Sequence, residues 1–253
     1  MDYHYPERFD ALARNGASFA ELVFMHLAEE SRENVAKIAR RVKDNGIFLR
    51  SFNCMFDKSV PVTGENRDLS KIREYLTSTM EKLSCFAPFN VVLGSAGARF
   101  VPEEKREEGM KQLAEVLSEI VSPVFASYGC TCTVEPLSEC PFIHTLQNGK
   151  DLCRMVNRPN IRLLADFYHV YKNGEDPLEE IDDPQIMGHI HVASLPDRTW
   201  PKPGEEEYYA KIFSILSRWH YNDCVSVEGN FGGKDFDLSV RTARKILGQY
   251  QTE

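Results

Sequence analysis

Seven short apolar runs separated by segments of helical periodicity set the limits on what this chain can fold into. Candidate strands are Phe19 to Met25, Ile47 to Asn53, Asn90 to Gly94, Cys130 to Glu135, Ile161 to Asp166, Gly188 to Ala193 and Cys224 to Glu228. Between them, Val35, Ile38, Ala39 and Val42 share one helix face behind a Ser31 cap, and Gly46 provides the stop. Pro102 opens a further helix with its stripe at Met110, Leu113, Leu117 and Ile120, ended by Gly129. A strand, helix, strand alternation needs parallel crossovers, which leaves a closed α/β barrel or an open doubly wound sheet. An open sheet gathers its ligand at one switch point, usually with a Gly-rich phosphate loop, and no GxGxxG or Walker sequence occurs. Instead the runs end in Asn53, Ser95, Glu135, Asp166, His191 and Glu228. A barrel collects such strand ends on one face, so the expectation is a single domain over 1–253, a (β/α)8 barrel with seven clear strands and a first strand missing or very short.

Composition narrows the partners. With 30 basic against 38 acidic residues and no Lys/Arg-rich block, the chain lacks the basic surface that nucleic-acid binding draws its affinity from. The N-terminus has no signal-peptide pattern and no run approaches membrane-spanning length, so a cytoplasmic enzyme without a membrane or nucleic-acid partner is expected. Seven cysteines, an odd number falling mostly in strands and helices, read as reduced and mostly buried thiols.

Glutamate is depleted in strands and rarely buried without a partner, so Glu135 and Glu228 at the ends of Val-containing runs require a reason. With Asp166 and His191 they form a mostly oxygen donor set suited to one divalent cation, Mn²⁺ or Mg²⁺ first, with Co²⁺ and Zn²⁺ acceptable. His189 shares a strand face with His191 and is expected to be structural or to support it. His169, three residues after Asp166, stands near that cation with a free ring to meet a substrate oxygen.

These segments resemble the xylose isomerase-like TIM barrel superfamily, the sugar phosphate isomerase and epimerase group that includes tagatose/psicose 3-epimerases and hydroxypyruvate isomerases. The likeness rests on an ordered set of segments: Ser51-Phe52-Asn53, Val62-Thr63-Gly64, Gly94 to Arg99 with Pro102, Val134-Glu135-Pro136, Ala165 to His169, His189-Ile190-His191, Asp197-Arg198 before Pro203-Gly204, and Val227-Glu228-Gly229. The resemblance implies metal ligands at Glu135, Asp166, His191 and Glu228, substrate contacts from His169 and Arg198, and a homodimer or homotetramer. Asn53 and Arg99 are further candidate substrate contacts, Arg99 meeting a carboxylate or phosphate from the Gly-rich loop. Seven residues separate His191 from Arg198, a step similar to the hydroxypyruvate isomerase type.

The chain departs from that group at its start, which enters at the helix after the usual first strand; Asp2 to Tyr5 could supply only a stub, leaving strand edges beside Phe19 to Met25 and Cys224 to Glu228. It departs again at Ser138-Glu139-Cys140, where relatives often carry Asn and Thr. The expected chemistry is isomerisation or epimerisation of a small sugar, sugar phosphate or hydroxyketone through a metal-stabilised enediolate, with Glu135 and Glu228 as acid and base. The alternatives are a metal-dependent dehydratase acting on a polyol or cyclitol, and a non-catalytic sugar-binding barrel.

Overall fold

The computed structural model describes residues 4, 7–140, 142–230 and 235–250. Seven parallel strands form one sheet in sequence order: β1 (Phe19–Val23), β2 (Phe48–Asn53), β3 (Asn90–Leu93), β4 (Thr131–Val134), β5 (Ile161–Asp166), β6 (Met187–Val192) and β7 (Val225–Val227). All seven expected strands are present. Most bounds agree to within one residue, and the larger departure is β1, which ends two residues early because Phe24 and Met25 belong to the helix Phe24–Glu29. An unbroken apolar run does not itself distinguish a strand from the start of a buried helix.

Local signals account for most boundaries. Ser31 caps the helix Arg32–Asp44 by accepting a hydrogen bond from the Asn34 amide, and Gly46 follows with φ +63°. Pro102 precedes a short 3₁₀ turn, after which the helix Arg106–Val116 passes through a π turn (Leu117–Val121) into Ser122–Ala126. Pro123 explains that turn: proline has no N–H to donate and its ring crowds the preceding carbonyls, so the helix widens around it.

The strands curl into a nearly closed barrel. Glu21 on β1 contacts His189 on β6 and Ser226 on β7, strands at the other end of the sheet order, so the two edges of the sheet have curled together. On the far wall the Asn90 amide donates to Ser51 and Thr133, lining the lumen with satisfied polar groups. Outside the strands, Leu22, Phe52, Val91, Leu93 and Leu163 pack with Leu76, Met80, Leu113 and Phe125 of the surrounding helices in one apolar layer. Among the described residues no ladder joins β1 to β7; a cavity of about 1350 Å³ follows that seam, and the Glu21–Ser226 hydrogen bond of 3.1 Å spans it. The stub expected at Asp2 to Tyr5 lies, apart from His4, outside the described residues. All seven cysteines are free thiols, four of them buried, and no described helix is long and apolar enough to cross a membrane.

Candidate metal centre

Four strand ends supply the site. Glu135 follows β4, Asp166 ends β5, His191 sits near the end of β6 and Glu228 follows β7; one ligand atom from each lies within 4.8 Å of the others. Parallel strands all point their C-terminal ends to one rim, which is why residues 93 positions apart in sequence converge.

Each side chain is held by something identifiable. Gly94, just past β3, makes room for Glu135: a Cβ there would stand 2.1 Å from Glu135 Oε2. Beneath it, Arg99 is fully buried and donates to the carbonyls of Leu93 (3.0 Å) and Glu135 (2.6 Å). The expectation that Arg99 meets a substrate anion is therefore corrected. Its charge is spent on backbone carbonyls that tie β3 to β4, and the guanidinium has no surface exposure. Asp166 caps the helix Phe167–Asn173 with Oδ1, accepting from the Tyr168 amide at 2.9 Å, and this leaves Oδ2 facing the rim. Asn53 donates to Glu228 Oε1 at 2.8 Å, while its own Oδ1 is buried with no hydrogen-bond partner.

Glu21 is the residue that strand-end reasoning passes over. Its carboxylate lies 3.1 Å from His191 Nε2 and 3.0 Å from His189 Nε2, and Ser226 Oγ donates to it at 3.1 Å. With Nε2 facing Glu21, His191 presents Nδ1 to Glu228 Oε2 (3.1 Å) and Glu135 Oε1 (3.6 Å). This is the carboxylate–imidazole pairing that orients a metal-ligating histidine. The available signal was a glutamate inside the five-residue strand Phe-Ala-Glu-Leu-Val, where only a buried partner makes it tolerable.

His169 is set in the opposite sense. The Ser138 amide donates to its Nδ1 at 3.2 Å, so Nδ1 is the acceptor and the proton resides on Nε2. That Nε2 is buried without a hydrogen-bond partner, 3.7 Å from Asp166 Oδ2. Burial and the neighbouring Arg198 lower its pKa to about 4, so the ring stays a neutral N–H donor at ordinary pH.

The electrostatics are uneven. Burial raises Glu135, and the Glu228 carboxylate adds to the rise. Burial likewise pushes Asp166 up to about 7 against the pull of Arg198. At Glu228 the effect of burial is outweighed by His191 and Arg198, which hold the carboxyl down to about 2. His191 rises well above the ordinary imidazole value: burial opposes the charge, but Glu21 and Glu228 prevail.

Two observations test whether the group fits a cation. Glu135 Oε1 is buried with no hydrogen-bond partner, His191 at 3.6 Å being beyond hydrogen-bond reach. A positive group already stands among the carboxylates: Arg198 Nη2 is 2.8 Å from Asp166 Oδ2, in contact with Glu228 Oε2, and 3.9 Å from Glu135 Oε1. Three carboxylates and one imidazole nitrogen, half-sealed from water and drawing in a cation, fit a hard divalent ion.

The model of the family described as "Xylose isomerase-like TIM barrel" matches residues 9–246. A 2-oxo-tetronate isomerase of Pectobacterium atrosepticum is 27% identical over 252 residues, covering 93% of this chain and 90% of its own. An inosose isomerase of Bacillus velezensis is 28% identical over 178 residues, 64% of this chain and 62% of its own. Among solved structures, a D-psicose 3-epimerase from Clostridium cellulolyticum superposes with a TM-score of 0.81 at 17% identity, over 96% of this chain and 93% of that one. The IolI protein with a bound zinc atom does so at 0.76 and 19%, over 98% and 95%. At those identities the structures speak for the fold, while the family match spans nearly all of the sequence: the chain belongs to the xylose isomerase-like TIM barrel family.

Proposed function

We propose that this protein is a divalent-metal-dependent isomerase or epimerase of a small sugar, sugar phosphate or hydroxyketone. The observation that carries the reading is the convergence of Glu135, Asp166, His191 and Glu228 on one point at the barrel rim, with Glu135 Oε1 buried and lacking a hydrogen-bond partner. The names of the 2-oxo-tetronate and inosose isomerases among its relatives agree with the reaction class. Oxygen-rich ligands favour Mn²⁺ or Mg²⁺, and the imidazole keeps Co²⁺ and Zn²⁺ within range, zinc being the ion named for the IolI structure.

Glu135, Asp166, His191 and Glu228 would hold the ion. When bound, a divalent cation supplies Lewis-acid stabilisation of the negative charge that develops on adjacent substrate oxygens. The remaining work falls to this chain. One of Glu135 and Glu228 takes a proton from the carbon beside the carbonyl and the other returns one, to the opposite face in an epimerisation or to the neighbouring atom in an isomerisation. His169 offers its Nε2–H to a substrate oxygen, and being neutral it donates a hydrogen bond without competing for the proton being moved. Asn53 steadies Glu228 through its amide. The test is turnover by Glu135→Gln and Glu228→Gln with folding checked by circular dichroism. Loss of at least about 10³-fold in kcat is expected in both, from the size typical of a positioned acid or base. Unchanged turnover in both would defeat the mechanism.

A further inference from the structure

We infer that Arg198 is a built-in counter-cation of the candidate centre, competing with the divalent ion for the same carboxylates, so that loading the ion and releasing the guanidinium are one event. The inference rests on the metal-centre reading above.

The position of Arg198 is imposed by its backbone. The loop that carries it is clamped to the end of β7: the Asn230 amide donates to the Arg198 carbonyl at 2.7 Å and the Trp200 indole donates to the Gly229 carbonyl at 3.0 Å. Within the loop the Ser194 amide donates to the Thr199 carbonyl at 2.8 Å. Gly229 permits this closeness, since a Cβ there would stand 2.6 Å from the Thr199 carbonyl. Arg198 itself adopts φ +50°, a left-handed conformation that a long side chain rarely takes without being forced. The backbone is thus fixed with the side chain aimed at the cluster, and what remains free to change is the rotamer.

Nη2 stands 2.8 Å from Asp166 Oδ2 and in contact with Glu228 Oε2. A divalent ion takes carboxylate oxygens at about 2.0–2.6 Å. Both cations drawing on these two oxygens at once would place like charges side by side, so one displaces the other. A second resting place is within reach: the guanidinium carbon already lies 5.2 Å from the centre of the Tyr168 ring, a face that can accept it when the carboxylates are taken. Released there, Arg198 keeps its five donors for a substrate oxygen or carboxylate, which couples ion loading to substrate capture. Without it, Asp166 Oδ2 and Glu228 Oε2 lose the cation they share.

The experiment is Mn²⁺ binding by calorimetry to wild type, Arg198→Gln and Arg198→Lys, with Trp200 emission followed in a Trp219→Phe background. Competition predicts that Arg198→Gln binds Mn²⁺ about tenfold or more tightly than wild type, a change within the usual range of coupling between sites. It predicts a shift in Trp200 emission on loading wild type that is lost in Arg198→Gln. Arg198→Lys, which keeps the charge on a shorter reach with one point of contact, should fall between. Equal or weaker Mn²⁺ binding by a folded Arg198→Gln would overturn the inference and leave the metal centre standing. Absence of Mn²⁺ binding in all three proteins would overturn both.

Discussion

At the scale of the residue, the site consists of charges that cannot stand alone. Glu135, Asp166 and Glu228 are brought together in a place half-sealed from water, and each is steadied by a different neighbour: the space at Gly94, the cap on Tyr168 and the amide of Asn53. Gly94 gives the sharpest test of that arrangement. A Cβ at 2.1 Å from Glu135 Oε2 cannot coexist with the present rotamer, so Gly94→Ala should push the carboxylate out of line. Mn²⁺ affinity measured by calorimetry is expected to fall at least about tenfold, the lower end for disturbing a ligand's support, while the circular dichroism spectrum is retained. Wild-type affinity in Gly94→Ala would show that Glu135 is not held where the site needs it. The four residues that converge at the rim were legible in the sequence as candidate ligands because each interrupts an apolar run at its end. Glu21 was not, because it interrupts its run in the middle, and Arg99 misled because a Gly-rich loop gives no sign that its arginine turns inward beneath the strand ends.

At the scale of the element, the strand and helix alternation was readable because parallel barrel strands are largely buried and therefore rich in apolar residues, with polar ones at intervals facing the lumen. The departures are where apolar character is shared by both states: Phe24 and Met25 continue β1 in composition and leave it in conformation, and the helix after Pro102 widens into a π turn at Leu117–Val121 ahead of Pro123. Close packing of the helix Leu146–Val156 on the barrel provides an element-scale test. Gly149 lies in its first turns, where alanine would ordinarily improve helix formation by about 1 kcal/mol. Here an added Cβ would meet Leu163 Cδ1 at 2.5 Å and Pro136 Cγ at 2.9 Å, and overpacking of that kind costs about 1–3 kcal/mol. The steric cost outweighs the propensity gain, so Gly149→Ala should lower Tm by a few degrees in thermal denaturation, roughly 2–4 °C per kcal/mol at this chain length. A higher Tm would mean that this helix packs more loosely than the distances say.

At the scale of the whole molecule, the barrel creates a site that no part of the chain holds alone. The candidate ligands and their supports come from β1, β2, β4, β5, β6 and β7 or the residues just after them, so the cluster forms only when the sheet has curled far enough for Glu21 to reach His189 and Ser226. That curvature was legible only as a class of fold. The seam between β1 and β7 was anticipated from the strand count, but the hydrogen bond that spans it depends on Glu21 and was not. The central claim is that this rim moves a proton on carbon. It is tested most directly by incubating the Mn²⁺- or Mg²⁺-loaded protein in D₂O with a panel of small sugars, sugar phosphates and hydroxyketones, and following solvent deuterium into carbon-bound positions by NMR. The account predicts incorporation at the carbon next to the carbonyl of at least one substrate by wild type, and none by Glu135→Gln or Glu228→Gln. Conversion of a substrate with no solvent deuterium entering carbon, or incorporation undiminished in both variants, would contradict it.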